Sequence, residues 1–167
     1  MDEKTVNTVK KARDKLLATA KTLHMAVWFE DDTGGHLEQG QAPFIRQDGH
    51  IYIYSSQLSA HIRGILAGGE TSFLLIEDEA TAQNIWARKR IKFSARIEEI
   101  SRDDARFEGV CDAIGTAHGE VMQLIREFSD FHLFKISPVA GVLVTGFAAA
   151  YQVKGEHFEL IAHLRSS

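Results

Sequence analysis

Short extended segments punctuated by tight-turn sequences constrain this chain more than any other feature. Met25-Ala26-Val27-Trp28-Phe29 is a compact apolar run, and Asp31-Asp32-Thr33-Gly34-Gly35 follows it. Aspartates that bond their own backbone and glycines that accept positive φ make such a stretch a turn. An extended pattern resumes from Leu37 to Ile45, turns at Gln47-Asp48-Gly49, and returns as Ile51-Tyr52-Ile53-Tyr54. Three short strands joined this closely read as an antiparallel meander.

The same texture recurs downstream. Ser72 to Ile76 is an apolar strand. From Ile91 to Ile100, Ile91, Phe93, Ala95 and Ile97 alternate with Lys92, Ser94, Arg96 and Glu98, the period of a half-buried strand. Further strands are expected over 131–136, 142–147 and 149–153, with a last segment over 158–164 after the Lys154-Gly155-Glu156 turn. Helices interrupt the series. Val6, Val9, Ala12, Leu16, Ala20 and Leu23 mark an amphipathic first helix over 3–22. A short helix follows Ser59 and stops at Gly68-Gly69, and one or two more span 107–128 with a break near Gly115 or Gly119. The expected fold class is α+β, with about seven strands and three or four helices, because strands come in runs rather than alternating with helices. Closing them into a barrel removes exposed edges, although periodicity alone does not show closure.

Composition excludes several classes. A chain of 167 residues fits one domain: a first helix at 1–22, a barrel with inserted helices at 25–153, and a C-terminal segment at 154–167. A net charge of −4 argues against nucleic acid as partner. No apolar run approaches the roughly 20 residues that span a bilayer, and the charged N-terminus is no signal peptide. Cys111 is the only cysteine, which leaves no intrachain disulfide and points to a reducing cytoplasm. Its apolar helical neighbours make it a structural thiol rather than a nucleophile, and no phosphate-binding or dinucleotide glycine motif is present.

Some residues carry chemistry by type and position. Arg88-Lys89-Arg90 opens a strand, so alternation sets Arg88 and Arg90 on one side and Lys89 on the other. Two guanidiniums on one face hold a phosphate or a pair of carboxylates bidentately. Equally, the cluster pairs with Glu77, Asp78 and Glu79 as an ordinary strand end. Ser55 and Ser56, between a strand and a helix, offer hydroxyls to a phosphate or serve as caps. Asp130 stands at a turn after Ser129. The eight histidines show no zinc-like spacing. Tyr52, Tyr54, Trp28, Trp86 and Tyr151 either pack in the core or face a planar ring.

Several blocks together resemble one family. Leu74-Leu75-Ile76-Glu77-Asp78-Glu79 with Trp86-Ala87-Arg88-Lys89-Arg90-Ile91-Lys92-Phe93 is similar to the "LIEDE…FARKRLTF" block of haem-utilisation proteins of the HugZ/HutZ type. Asp130 to Phe134 resembles their "DFRLF" segment, and Gly146 to Val153 their "GFGQAYQV" segment. Order and spacing agree from about Ala42 to Leu164, with a weaker match over His24 to Gln41. These proteins lie within the pyridoxamine-phosphate-oxidase-like superfamily. The resemblance implies an antiparallel split β-barrel with flanking helices, a homodimer, and ligand pockets between the subunits. In the superfamily the pocket takes FMN; in this branch it takes haem, which some members degrade oxidatively with electrons from an external donor.

The resemblance also assigns roles. Arg90 matches an arginine at the haem site, so it would anchor a haem propionate with Arg88 and Lys89, or the phosphate of FMN. Asp130 matches an acid that orients the proximal histidine across the dimer interface. Relatives that ligate haem through the tail place the axial histidine a few residues past the position of His163. This chain ends at Ser167, short of that point, so either His163 or another histidine substitutes, or haem is not ligated this way, or haem is not the ligand; among the histidines His163 is the candidate iron ligand. The expected activity is an oxidoreductase opening the haem ring; an FMN-dependent oxidoreductase and a non-catalytic haem or flavin carrier are the alternatives.

Overall fold

A computed structural model describes residues 2–164; the last three residues of the expected C-terminal segment lie outside the described residues. Helix α1 (Glu3–Thr19) begins at Asp2, whose carboxylate accepts from the Thr5 backbone N–H at 2.9 Å and so satisfies one orphan donor of the first turn. It ends three residues before the expected Thr22, because Thr22 already pairs with Pro43 as the first residue of β1. Val9 and Leu16 form its buried stripe.

The strands are β1 (Thr22–Asp31), β2 (Gly34–Gln47), β3 (His50–Ser56), β4 (Glu70–Ile76), β5 (Arg90–Ile100), β6 (Phe131–Gly146), β7 (Ala149–Lys154) and β8 (Glu159–Leu164). The expected turns join them. Gly34 and Gly49 carry φ of +121° and +84°, a region that only glycine enters without strain. All pairings are antiparallel, in the order β3-β2-β1-β4-β5-β6-β7-β8, and β3 also pairs with β6. That last pairing closes six strands into a ring.

The described strands number eight, one more than expected, and β6 accounts for another difference. The sequence reads as two strands, over 131–136 and 142–147, but β6 runs unbroken through both. Pro138 sits opposite Ala95, next to Val139, which bulges out of β6 between the Ser94–Ala140 and Ala95–Pro138 pairs, so the proline's missing N–H falls at an irregularity of the ladder. The first half of β6 pairs with β3 and its second half with β7, while β5 follows it throughout. The fork along β6 is the split of the barrel.

Two cores result. Inside the ring, Leu23, Ile53, Phe73, Ile91, Phe93 and Phe134 are buried, with Phe93 stacked on Phe73 at 5.3 Å and edge-on to Phe158 at 5.1 Å. Each such ring contributes roughly 1.5–3 kcal/mol by leaving water. Helix α2 (Ala60–Leu66) packs on β1 and β2, and Gly64 is where its backbone meets Val27 and Phe29. The second core lies outside the ring. Helices α3 (Phe107–His118) and α4 (Val121–Ile125) cover Tyr52, Tyr54, Ile100 and Leu133. The break between these helices falls at Gly119, with φ +105°, whereas Gly115 lies within α3.

Candidate functional site

Alternation decides which residues the barrel presents. Leu23, Met25 and Val27 face inward, so His24, Ala26 and Trp28 face outward. Strand register then builds rows across the outer face. One row runs Gln41, His24, Leu74, Lys92, Val142, Gln152; the next runs Ile76, Arg90, Val144, Ala150, Leu164. No helix of the second core lies over these rows. They form a shallow surface in which Leu74, Ile76, Val142, Val144 and Ala150 make an apolar floor, His24, Gln41 and Gln152 a polar border, and Arg90 and Lys92 the cations.

The basic cluster divides on closer inspection. Arg88 precedes β5 at the end of a short 3-10 turn, Ile85–Ala87. Its Nε donates to the Glu77 carbonyl at 2.8 Å and its Nη1 meets Glu79 Oε1 at 2.8 Å. Lys89 Nζ donates to Glu77 Oε1 at 3.0 Å, and the Lys89 backbone N–H reaches the other carboxylate oxygen at 3.1 Å. Burial pushes the Glu77 carboxyl up, but the bonds from Lys89 outweigh it and hold the group below its ordinary value. Arg88 and Lys89 are therefore tied to acids, as in the strand-end pairing. Arg90 is different: its Nη1 donates only to the Arg88 carbonyl, at 3.0 Å, and it has no carboxylate partner among the described residues. Beside the cluster, a cleft of about 630 Å³ separates the end of α1 from the β4–β5 loop, lined by Lys15, Lys21, His24, Glu77, Arg88 and Lys89. A neighbouring depression of about 320 Å³ shares His24 and reaches Lys92.

Asp130 occupies the turn between α4 and β6. Its carboxylate accepts a short hydrogen bond from Ser56 Oγ, and its backbone carbonyl accepts from the Gln57 N–H at 2.8 Å. Ser56 Oγ in turn accepts from the Leu58 N–H at 3.0 Å, so that hydroxyl is fixed in one orientation and its proton is committed to Asp130. One carboxylate oxygen, Oδ1, has no hydrogen-bond donor among the described residues. Ser55 and Ser56 line a third pocket of about 310 Å³ together with Gln41, which also lines the large cleft. Ser59 stands at the start of α2 but makes no capping bond there.

His163 pairs opposite Tyr151 and stacks on it, with ring centroids 4.8 Å apart. Its Nε2 lies 3.0 Å from the Ala148 carbonyl, so Nε2 is the protonated nitrogen and Nδ1 the one with a lone pair. Tyr151 faces the interior, whereas Ala150, beside it, lies in the outward row with Arg90. Arg90 and His163 of one chain thus occupy opposite faces of the sheet. His24, Gln41, Lys92 and His61 were not distinguished by sequence reasoning. The first three only become neighbours through register, and His61 only through its seat over Gly40, where an added Cβ would fall within its ring. Among the described residues no group of three or more His, Cys, Asp or Glu is placed to hold a metal ion, and no helix is long and apolar enough to cross a membrane.

The chain has relatives among known proteins. No family model matches the chain. The haem oxygenase HutZ of Vibrio cholerae is 32% identical over 144 residues, 86% of this chain and 80% of HutZ. A crystal structure of HutZ from Vibrio cholerae, described there as a haem storage protein, superposes with a TM-score of 0.72 at 27% identity. It covers 83% of this chain and 94% of its own. The structure of Campylobacter jejuni ChuZ superposes with a TM-score of 0.79 at 24% identity, over 96% of this chain and 65% of ChuZ, a likeness of fold.

Proposed function

This chain belongs to the HutZ family of haem-utilisation proteins, and from that membership we propose that it binds haem against the outer face of the barrel. One observation carries the placement: Arg90 stands beside the apolar residues Leu74, Ile76, Val142 and Val144 with no acid to neutralise it among the described residues. A flat apolar macrocycle with anionic propionates at one edge matches that surface, since it buries its ring on Leu74, Ile76, Val142 and Val144 while a carboxylate meets the guanidinium. Haem supplies the redox-active iron and the ring to be opened; the protein supplies position and polarity.

The roles of the chain's residues follow. Arg90 anchors a propionate. Arg88 and Lys89, already bonded to Glu77 and Glu79, shape the edge of the cleft and set its field. Asp130, held by Ser56, keeps an oxygen for an imidazole N–H, which would orient an axial ligand and raise its basicity. An iron lying over the outer face of one chain is out of reach of that chain's His163, so His163 serves this reading only from a second copy. A homodimer is accordingly part of the proposal: C2 pairing would roof two equivalent grooves and bury the exposed outer rows. A reducing, cytoplasmic setting accords with the lone thiol.

The two descriptions given to the Vibrio protein, oxygenase and storage protein, differ in turnover. We favour oxidative ring opening with an external electron donor. Titrating the purified protein with haemin should give a Soret band that saturates at one haem per chain. Ascorbate should then bleach it and release iron. Saturation without bleaching would leave a carrier. A yellow protein that retains FMN and fails to develop a Soret band would overturn the haem reading.

A further inference from the structure

The pocket beside Ser55 and Ser56 differs in chemistry from the cationic cleft it adjoins. It lies between α2, β2, β3 and the α3–α4 pair, and encloses about 310 Å³. One wall is apolar and aromatic: Tyr54, Ile114, Met122, Ile125 and Phe131 line it, with the Tyr54 and Phe131 rings 5.3 Å apart. Ser55, Ser56, Ser59, His61 and His118 also line it, the Ser56 hydroxyl being committed to Asp130. No lysine, arginine, aspartate or glutamate is among the lining residues.

Both imidazoles offer a lone pair. His118 Nε2 lies 2.8 Å from the Phe44 carbonyl; a carbonyl only accepts, so Nε2 carries the proton and Nδ1 is left as an acceptor. His61 is seated over Gly40, whose missing side chain makes room for the ring. Burial pushes the His61 imidazole down toward its neutral form, outweighing the opposite pull of the Glu38 carboxylate. Ser59 spends no hydroxyl on capping α2. The pocket therefore gathers hydrogen-bonding groups without a protein partner around an apolar chamber.

We propose that this pocket is a second ligand site, separate from the haem surface, for a small uncharged ring compound bearing a hydroxyl or ring N–H. The volume is at the lower end of ligand pockets and admits one ring or two fused rings. The apolar wall buries the ring face. The O–H or N–H donates to an imidazole nitrogen, and a serine hydroxyl donates back to the ligand. A carboxylate or phosphate is disfavoured, since no cation is present to repay its desolvation. Gln41 borders both this pocket and the cationic cleft, so the two sites stand side by side.

The test uses the full chain labelled at histidine Cε1, with the His61 and His118 resonances assigned through His61→Gln and His118→Gln. Phenol, benzoate and toluene are the probes. Phenol should shift both resonances saturably, with a dissociation constant on the order of 1 mM for seven non-hydrogen atoms. Toluene should bind several-fold more weakly, and benzoate should leave both resonances in place. His61→Ala should weaken phenol about tenfold, the worth of one hydrogen bond, with His61→Gln recovering part of the loss. Arg90→Ala should leave phenol binding unchanged, which separates this site from the haem surface. Benzoate acting as strongly as phenol, or His61→Ala binding phenol as tightly as the parent, would overturn the assignment.

Discussion

Replacing Arg102 with methionine should loosen the helix that precedes Asp130. Arg102 Nη1 donates to the Arg126 carbonyl at 2.6 Å, and Nη2 to the Phe128 carbonyl and to Tyr54 Oη, the latter at 3.1 Å. The guanidinium also lies 5.3 Å from the centroid of the Phe107 ring. Tyr54, buried under α3 and α4, donates its own O–H to the Arg126 carbonyl at 3.1 Å. These bonds bind the carbonyl end of α4 to β3 and so fix the turn that delivers Asp130 to Ser56. A hydrogen bond to a charged group contributes roughly 1.5–3 kcal/mol, but water can reach this guanidinium and the carbonyls it would leave. Methionine keeps the packing of the stem. The expected loss is then about 2–3 kcal/mol rather than the sum of three bonds. At this chain length each kcal/mol moves Tm by about 2–4 °C, so Arg102→Met should melt roughly 4–12 °C below the parent. Tyr54→Phe should cost about 1 kcal/mol, and the double variant less than the sum, because the two share partners. Differential scanning calorimetry reads the stability, and native-state hydrogen exchange at the Gln57 N–H, bonded to the Asp130 carbonyl, reads the turn. Arg102→Met melting within about 1 °C of the parent, with Gln57 exchange unchanged, would refute the clamp.

Other outcomes follow from the same structure. Cys111 is fully buried, and burial pushes its thiol up to about 11. A thiol reagent at pH 8 should therefore label it only at the rate of unfolding. The folded thiol holds its proton above the unfolded value of about 8.5, so its contribution is present below that pH and lost as pH rises toward the folded value. Gly40→Ala should displace the His61 ring, shift its resonance and destabilise by about 1–3 kcal/mol through overpacking; an unmoved ring would contradict the seat described for it. Sedimentation equilibrium should return a dimer, and a monomer at micromolar concentration would remove the roofed groove. Asp104 is held down at about 2 by its hydrogen bonds with Arg106, so whatever it contributes should be lost as pH falls from about 4 toward 2, and Asp104→Asn should flatten that limb.

Local chemistry made much of the fold legible. The turns at Gly34, Gly49 and Gly155 all carry positive φ, and the Ile91–Ile100 alternation became β5. The family blocks pointed to a split barrel before any strand was paired. What escaped were relations between distant segments. Tyr54 pairs with Leu133, far along the chain, and no local period announces the closure that pairing makes. The sequence leaves a gap between 136 and 142, whereas β6 crosses Pro138 through a bulge at Val139 that only the pairing with β5 reveals.

The site was legible in part for the same reason. The sequence places Arg88, Lys89 and Arg90 together and even names Glu77 and Glu79 as partners, but only geometry separates Arg90 from the two paired cations. Asp130 and Ser56 were separate candidates, and the ladder between β3 and β6 made them a bonded pair. The faces of Arg90 and His163 depend on counting alternation across two bulges, between Val144 and Gly146 and between Gln152 and Val153. A count from the sequence misses both.

The most direct test compares haemin affinity across Arg90 variants. Losing the charge-assisted contact to a propionate should weaken binding roughly 10- to 150-fold in Arg90→Ala, with Arg90→Lys between the two and the Soret maximum unmoved. Haemin affinity in Arg90→Ala equal to that of the parent would contradict a haem held on the outer face of the barrel.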